Sequence, residues 1–279
     1  MTRVLLTGAT GFVGRQILAA LDAAGVRVRT VVRTGSESRL QSGGAVEDSV
    51  ITPDVFAEPV AWWAEACAGV DTVIHAAWYA EPGKYLTSAK NLECLEGTLR
   101  LARGCVASGV RRFLGVGTCF EYDLSGGYLS ADTPLRPITP YAGAKAAAFQ
   151  ALSQALPSQG VSFVWCRLFY LYGDGEDPRR LVAYVCARLA AGLPVELTSG
   201  NQVRDFLDVR EAGRMIAEVA LGKAEGGLNV CSGEPLTVRD LVERIADEMG
   251  RRDLLRFGAR PDNLVDPPFV VGVKTETLS

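Results

Sequence analysis

The sequence predicts an α/β fold, a mostly parallel sheet doubly wound with helices on both faces. Strand-like and helix-like patterns alternate through the first two thirds of the 279 residues, and such alternation implies βαβ units. The run Leu5-Leu6-Thr7-Gly8-Ala9-Thr10-Gly11-Phe12-Val13-Gly14 passes from an apolar strand through a glycine-spaced turn into an amphipathic helix. Glycines at such a turn let the backbone bend tightly and approach a pyrophosphate, which rests on the helix N-terminal N–H groups. Gly25, Gly69, Gly109 and Gly160 each fall between a helical stretch and the next strand, where a left-handed helix-ending residue belongs.

Taken in order, the strand-like runs are Val4–Thr7, Val28–Val32, Ser49–Thr52, Thr72–Ala76, Phe113–Val116 and Ser162–Cys166. Helical patterns lie between them at Val13–Ala24, Pro59–Ala68, Ala89–Ser108 and Ala142–Leu156. After about residue 170 the rhythm changes. Asp174-Gly175-Glu176-Asp177-Pro178 makes a turn-rich link into a helix from Arg179 to Ala191, then a short strand at Val195–Thr198 and a helix from Val209 to Leu221. Gly226–Cys231 reads as a strand returning to the main sheet. Thr237 and Asp240 form a capping pair ahead of the helix Leu241–Met249, and residues 251–279 are loop-rich. The predicted organisation is a Rossmann-type dinucleotide-binding domain over 1–170, joined by the returning strand. A small, mainly substrate-binding lobe follows over 171–279, and the two meet at a cleft.

Composition narrows the function classes. With 48% hydrophobic and 22% charged residues, the chain is ordinary for a soluble globular protein. A formal net charge of −3 offers no basic field for nucleic acid. No apolar run reaches the length of a membrane span, and a strand within residues 1–7 leaves no room for a signal peptide. The seven cysteines show no Cys-x-x-Cys spacing and read as reduced core residues of a cytoplasmic protein. His75 is the single histidine, so no multi-histidine metal site is possible and no metal is expected.

The candidate cofactor residues are those of the turn: Gly8, Thr10, Gly11, Phe12, Val13 and Gly14. Arg33 follows the second strand, where Asp or Glu would bind the ribose hydroxyls of NAD and Arg suits a 2′-phosphate. Arg39 can assist, because a guanidinium takes phosphate through two parallel hydrogen bonds. The expected cofactor is therefore NADP(H), with NAD as the alternative. Tyr141 and Lys145 stand four apart at the start of a helix and share one face. An ammonium beside a phenol favours the phenolate, and the neutral phenol is a proton donor to an alkoxide. Thr118 ends the strand Phe113–Val116 extended through Gly117, and carboxyl ends of parallel strands are where ligands bind. Its hydroxyl can stabilise a substrate oxygen. Thr118, Tyr141 and Lys145 are the candidate catalytic residues; His75 reads as a packing or cofactor-wall residue.

On these residues the chain resembles the extended short-chain dehydrogenase/reductase superfamily, in its nucleotide-sugar epimerase/dehydratase/ketoreductase branch. The resemblance also rests on Val73-Ile74-His75-Ala76-Ala77, on Asn91 with Gly97-Thr98, on Arg167 to Gly173, and on Arg204-Asp205-Phe206-Leu207-Asp208-Val209. It implies Tyr141 as acid/base, Lys145 on the nicotinamide ribose, and Thr118 orienting a nucleotide-sugar substrate. It further implies Ala76 and Ala77 along the cofactor, Asp54-Val55 at the adenine edge, and a homodimer pairing the helices Ala89–Ser108 and Ala142–Leu156. Trp78, Tyr79 and Tyr85 read as sugar-pocket lining because their strand end faces the cleft, and Tyr170 stands where the family often has Asn. Arg204, read as a loop residue opening a helix, is the candidate diphosphate ligand. Arg179 joins the substrate set, and Arg180 and Arg260 are weaker candidates.

Departures narrow the chemistry. Where dehydratases of this branch carry an Asp-Glu pair after the threonine, this chain has Cys119 and Phe120, with Glu121 the one nearby carboxylate. A 4,6-dehydratase is not expected. Arg33 tilts the remaining choice towards an NADPH-dependent ketoreductase acting on a 4-keto-6-deoxy nucleotide sugar. An NAD-dependent sugar 4-epimerase and a non-catalytic NADP sensor are the alternatives.

Overall fold

Strand β1 (Arg3–Thr7) leads through the glycine turn into α1 (Gly14–Ala23). There follow β2 (Arg27–Arg33), β3 (Val46–Thr52), α2 (Val60–Ala66), β4 (Thr72–His75), α3 (Lys90–Ser108), β5 (Arg112–Thr118), β6 (Tyr128–Leu129), α4 (Pro140–Ala155) and β7 (Ser162–Leu168). The remainder comprises β8 (Tyr170–Tyr172), α5 (Leu181–Ala190), β9 (Val195–Glu196), β10 (Val203–Asp208), α6 (Val209–Leu221) and β11 (Gly226–Val230). It ends with β12 (Pro235–Thr237), α7 (Val238–Glu248), β13 (Leu255–Arg256) and β14 (Phe269–Gly272). The computed structural model describes residues 2–40, 44–263 and 266–275.

Seven strands build the main sheet in the order β11-β7-β5-β4-β1-β2-β3, every pair parallel. The α/β class, the parallel sheet and the returning strand β11 are as the sequence predicts. Chain order reverses between β1 and β4, so a ligand crevice opens above their carboxyl ends. Period-two alternation sends neighbouring residues to opposite faces. Val4 and Leu6 of β1 pack with Ile17, Leu18 and Leu21 of α1 and Met215 and Ile216 of α6. Leu5 faces Trp63, Leu101, Phe113 and Leu152 on the other side. The four glycines read as helix-ending punctuation all have positive φ.

Three findings depart from the sequence reading. Residues 203–208 form a strand, β10, where the sequence pointed to a loop before α6. It joins a smaller sheet, β12-β10-β14-β6, with β8 on its other register. The loop-rich tail contributes β13 and β14, and its residues 264–265 and 276–279 lie outside the described residues. Helix α6 packs against α1 under the main sheet, with Gly213 so close to Gln16 that a Cβ would stand 2.6 Å from its carbonyl carbon. Thr237 caps α7 as expected, accepting from the Asp240 N–H at 2.9 Å. Among the described residues, no helix is long and apolar enough to cross a membrane.

Candidate active site

The glycine turn is built by close approach of backbone to backbone. Gly8 has φ +79°, and a Cβ there would stand 2.8 Å from the Ala77 nitrogen at the end of β4. A Cβ on Gly14 would lie 2.0 Å from the Gly8 carbonyl oxygen. The Gly11 N–H donates to that same carbonyl at 2.9 Å. The turn thus sits at the crevice between β1 and β4, with the first turn of α1 behind it. Ala76 and Ala77 line its other side. Arg33 stands exposed at the end of β2, and no hydrogen bond or ion pair engages its guanidinium among the described residues. Arg39 reaches back from the loop after β2 and donates through Nη2 to the Thr10 carbonyl at 3.3 Å. Asp54 caps its own turn, accepting from the Phe56 N–H at 2.9 Å, with Val55 half-buried beside it.

Thr118, Tyr141 and Lys145 come together above β5. Thr139 caps α4 by accepting from the Ala142 N–H at 3.2 Å, and Pro140 at the first helical position fixes the entry of the chain. This presents Tyr141 at the mouth of the helix, where its backbone N–H donates to the Leu86 carbonyl at 3.1 Å. The ring packs edge-on to Tyr85 at 4.8 Å, and its phenol faces the Thr118 side chain. Burial, then the proximity of Tyr85 and Glu121, pushes the Tyr141 phenol well above the ordinary tyrosine range; the Thr118 hydroxyl opposes this. Lys145 is buried, and its Nζ donates to the Val116 carbonyl at 2.5 Å. Burial pulls the amine down to about 7, against the pull of Glu121 and Cys94. Burial of the phenol itself acts in the opposite direction to the lowering expected from a neighbouring ammonium.

Beneath Thr118 lies a polar network that the sequence reading did not assign. Glu121 accepts from the Thr118 N–H at 2.8 Å, from Trp165 Nε1 at 3.0 Å and from Arg167 Nε at 2.8 Å. Both ion-pair partners are fully buried. Arg167 lies between the rings of Phe149 and Tyr122, at 4.2 and 4.7 Å, and donates to the Tyr122 hydroxyl. That hydroxyl donates to Asn229 on β11 at 2.7 Å. The carboxylate is thus committed to fixing Thr118, and does not offer an acid to a substrate. Thr118-x-x-Glu121 is a capping-box spacing, a signal that could have found this role. Arg167→Met strands the buried carboxylate and is expected to destabilise the protein by about 3–5 kcal/mol. Urea unfolding measures this; a loss below about 1 kcal/mol would contradict a committed pair.

His75 behaves as a wall residue. Its Nδ1 lies 2.9 Å from the Thr7 hydroxyl and its Nε2 2.9 Å from the Thr98 hydroxyl. Thr98 donates to the Cys94 carbonyl, and Thr7 accepts from the Ala77 N–H. One proton arrangement satisfies the whole chain: Ala77 to Thr7 to Nδ1, then Nε2–H to Thr98 to Cys94. Burial, with Lys145 nearby, drops the imidazole to about 3, so it stays neutral.

The expected substrate residues divide. Tyr170 lies in β8 with Phe120 at 6.1 Å, and Arg204 stacks over its ring at 5.2 Å. Arg204 is a buried strand residue of β10 rather than a loop arginine, and Nη1 donates to its own Val203 carbonyl at 2.9 Å. Asp205 beside it is saturated by the Ser232, Gly233 and Gly272 N–H groups. Arg179 is 61% exposed and forked onto Asp177 at 2.8 and 2.9 Å, so its guanidinium is already engaged. Arg180 pairs with Glu176 at 3.1 Å. Arg260 donates to the Tyr184 hydroxyl at 2.9 Å. Tyr79 donates to Glu81 at 2.8 Å near the rim. Trp78 turns its indole face to the Lys145 amine, whose Nζ lies 3.8 Å from the ring centre. Cys119 is buried, and burial pushes its thiol far up.

A model of the NAD dependent epimerase/dehydratase family matches residues 4–231. The chain is 25% identical over 281 residues to dTDP-6-deoxy-L-talose 4-dehydrogenase (NAD(+)) of Aggregatibacter actinomycetemcomitans, covering 97% of this chain and 99% of that protein. GDP-6-deoxy-D-mannose reductase of Pseudomonas aeruginosa is 28% identical, with 88% of this chain and 79% of that protein aligned. In fold, the chain is similar to UDP-N-acetylglucosamine 4-epimerase of Methanobrevibacter ruminantium M1, with a TM-score of 0.88 at 22% identity, covering 99% of this chain and 90% of that one.

Proposed function

The chain belongs to the NAD dependent epimerase/dehydratase family, and on that premise we propose that it reduces a nucleotide-activated ketosugar, of the 4-keto-6-deoxyhexose type, at the expense of NADPH. The observation that carries the reading is the convergence of Thr118, Tyr141 and Lys145 at the end of β5, with the Lys145 amine on the Val116 carbonyl. A phenol there is suited to give a proton to an alkoxide, and the exposed Arg33, unengaged among the described residues, favours use of NADPH over a retained NAD. The relatives named for 6-deoxyhexose oxidoreduction support the substrate class.

Gly8, Gly11 and Gly14 with the first turn of α1 would hold the pyrophosphate, Ala76 and Ala77 the adjoining wall, and Asp54 and Val55 the adenine edge. When bound there, a reduced nicotinamide supplies hydride to the carbonyl carbon. Tyr141 then gives its phenolic proton to the alkoxide oxygen, Thr118 donates a hydrogen bond to that oxygen, and Lys145 holds the ribose side of the site. Glu121 keeps the Thr118 backbone fixed, so no reorganisation is needed as charge develops. Cys119, Phe120 and the committed Glu121 leave no second acid/base pair for dehydration. Tyr170, Arg204, Trp78, Tyr79 and Arg179 would bound the substrate side. The reading divides the labour between residues 1–170 with β11 for the cofactor and mainly 171–279 for the substrate. It includes a cytoplasmic homodimer built on α3 and α4, where Leu92 is 64% exposed.

Purified protein mixed with NADPH and a panel of nucleotide 4-keto-6-deoxyhexoses tests this. Loss of reduced-nicotinamide absorbance, equal to hydroxyl sugar formed, is expected. Interconversion of nucleotide sugars without net cofactor loss would instead establish the epimerase, and binding without any turnover the sensor. The cofactor preference has its own test. Arg33→Ala with Arg39→Ala is expected to weaken NADPH binding by about 10–100-fold and leave NADH within about threefold, since charge-assisted bonding to a 2′-phosphate at this exposed site contributes roughly 1.5–3 kcal/mol in all. Equal losses for both cofactors would remove the 2′-phosphate role.

A further inference from the structure

The Lys145 amine is enclosed in a way that its role on the ribose does not require. Its Nζ lies 3.8 Å from the Trp78 ring centre and 5.7 Å from that of Trp165. Trp78 is itself anchored: Nε1 donates to Asn91 Oδ1 at 2.9 Å. Asn91 is buried and donates through Nδ2 to the Tyr85 and Ser88 carbonyls, at 2.6 and 2.9 Å. One amide side chain therefore locks the loop after β4, the indole and the Tyr85 segment to α3. Phe56 meets the indole edge-on at 6.3 Å, and Tyr141 at 6.4 Å.

We propose that Trp78 is a positioning residue for Lys145: its anchored indole walls the amine from water and holds it at the Val116 carbonyl, beside Tyr141. Two effects of the indole oppose each other. Its π face attracts a cation, while its bulk denies the amine hydration and favours the neutral form. Burial lowers the amine, so desolvation is the larger of the two effects. The groups facing the amine are His75 from β4, Cys94 from α3, Glu121 from the turn after β5, and Tyr141 on its own helix. His75 is neutral, and burial holds the Cys94 thiol up at about 11. Among the described residues, no carboxylate lies within ion-pair distance of Nζ. The charge on Lys145 is thus set chiefly by what covers it, and Trp78 is the nearest aromatic cover. Its catalytic meaning rests on the proposed function, in which Lys145 holds the ribose side of the site beside Tyr141.

The test titrates the Lys145 side chain by carbon-13 NMR in the protein without cofactor, so it is independent of any turnover. Wild type should show a midpoint far below ordinary lysines. In Trp78→Ala water reaches the amine, and the midpoint should rise by at least one pH unit, a tenfold gain in proton affinity. Trp78→Leu keeps apolar cover without a π face, and its midpoint should stay at or below wild type. Should Trp78→Ala not fold, Asn91→Ser releases the indole's anchor and should raise the midpoint likewise. An unchanged midpoint in the folded Ala or Ser variant, or an equal rise in the Leu variant, overturns the proposal. Absence of ketosugar reduction alongside the expected shifts would instead overturn the functional reading and leave Trp78's role standing.

Discussion

Replacing Tyr141 by Phe is expected to lower kcat on the ketosugar by about 10²–10⁴-fold, the range contributed by a positioned general acid. The substitution removes one oxygen. The ring contact with Tyr85 at 4.8 Å and the backbone bond to Leu86 are both kept, so cofactor affinity and melting temperature should change little. Thr118 retains its place, because Glu121 holds the Thr118 N–H. The pH dependence supplies a second signature. Burial raises the phenol, so the proton-donating form persists through neutral pH, and wild-type reduction should not fall between pH 6 and 8 through loss of this proton. Stopped-flow single turnover with NADPH checks both points. A Phe variant within about tenfold of wild type would assign the proton to another group.

The second large effect concerns the cofactor cradle. Gly14→Ala places a Cβ 2.0 Å from the Gly8 carbonyl oxygen and 2.6 Å from its carbon. Both are backbone atoms of a turn that is closed by its own Gly11 to Gly8 bond. Relief requires moving α1 away from β1, and with it the N–H groups that would meet a pyrophosphate. We expect NADPH affinity to fall by at least about 100-fold, equivalent to about 2.7 kcal/mol, measured by titration calorimetry. The loss should be as large for NADH, since the pyrophosphate is common to both. This separates the cradle from the Arg33–Arg39 pair, where the two cofactors should respond differently. Near-wild-type binding by a folded Gly14→Ala protein would show that the helix start is not the anion seat.

Much of this was legible because local and distant demands agree. The strand–glycine turn–helix entry, the Tyr141-x-x-x-Lys145 spacing and the return of β11 each combine a local pattern with the place it must occupy. Strand β10 was hidden for the opposite reason. Its interior positions Arg204 and Asp205 are polar, so period-two hydrophobicity is lost. Their burial is made possible by residues far along the chain: Tyr170, which stands well before Arg204, and Ser232, Gly233 and Gly272, which are 27, 28 and 67 positions from Asp205. Trp78 was ambiguous because an aromatic at a strand end serves a pocket wall and a core equally well. Only the fold reveals that an amine lies against it. Glu121 was considered for chemistry it cannot perform here, although its capping-box spacing already announced a supporting part.

The order in which the chain visits its sheets has a further consequence. Strand β6, from before α4, completes the smaller sheet beside β14, whereas α6 and β11, from beyond residue 200, complete the larger one. No single peptide cleavage can therefore yield two self-sufficient pieces. A fragment ending near residue 170 would lack the strand that covers the β7 edge and the helix that shields Val4 and Leu6, and a fragment beginning there would carry an apolar helix with nothing beneath it. Swapping the C-terminal part between relatives to alter selectivity would have to carry β6 along and leave α6 and β11 behind.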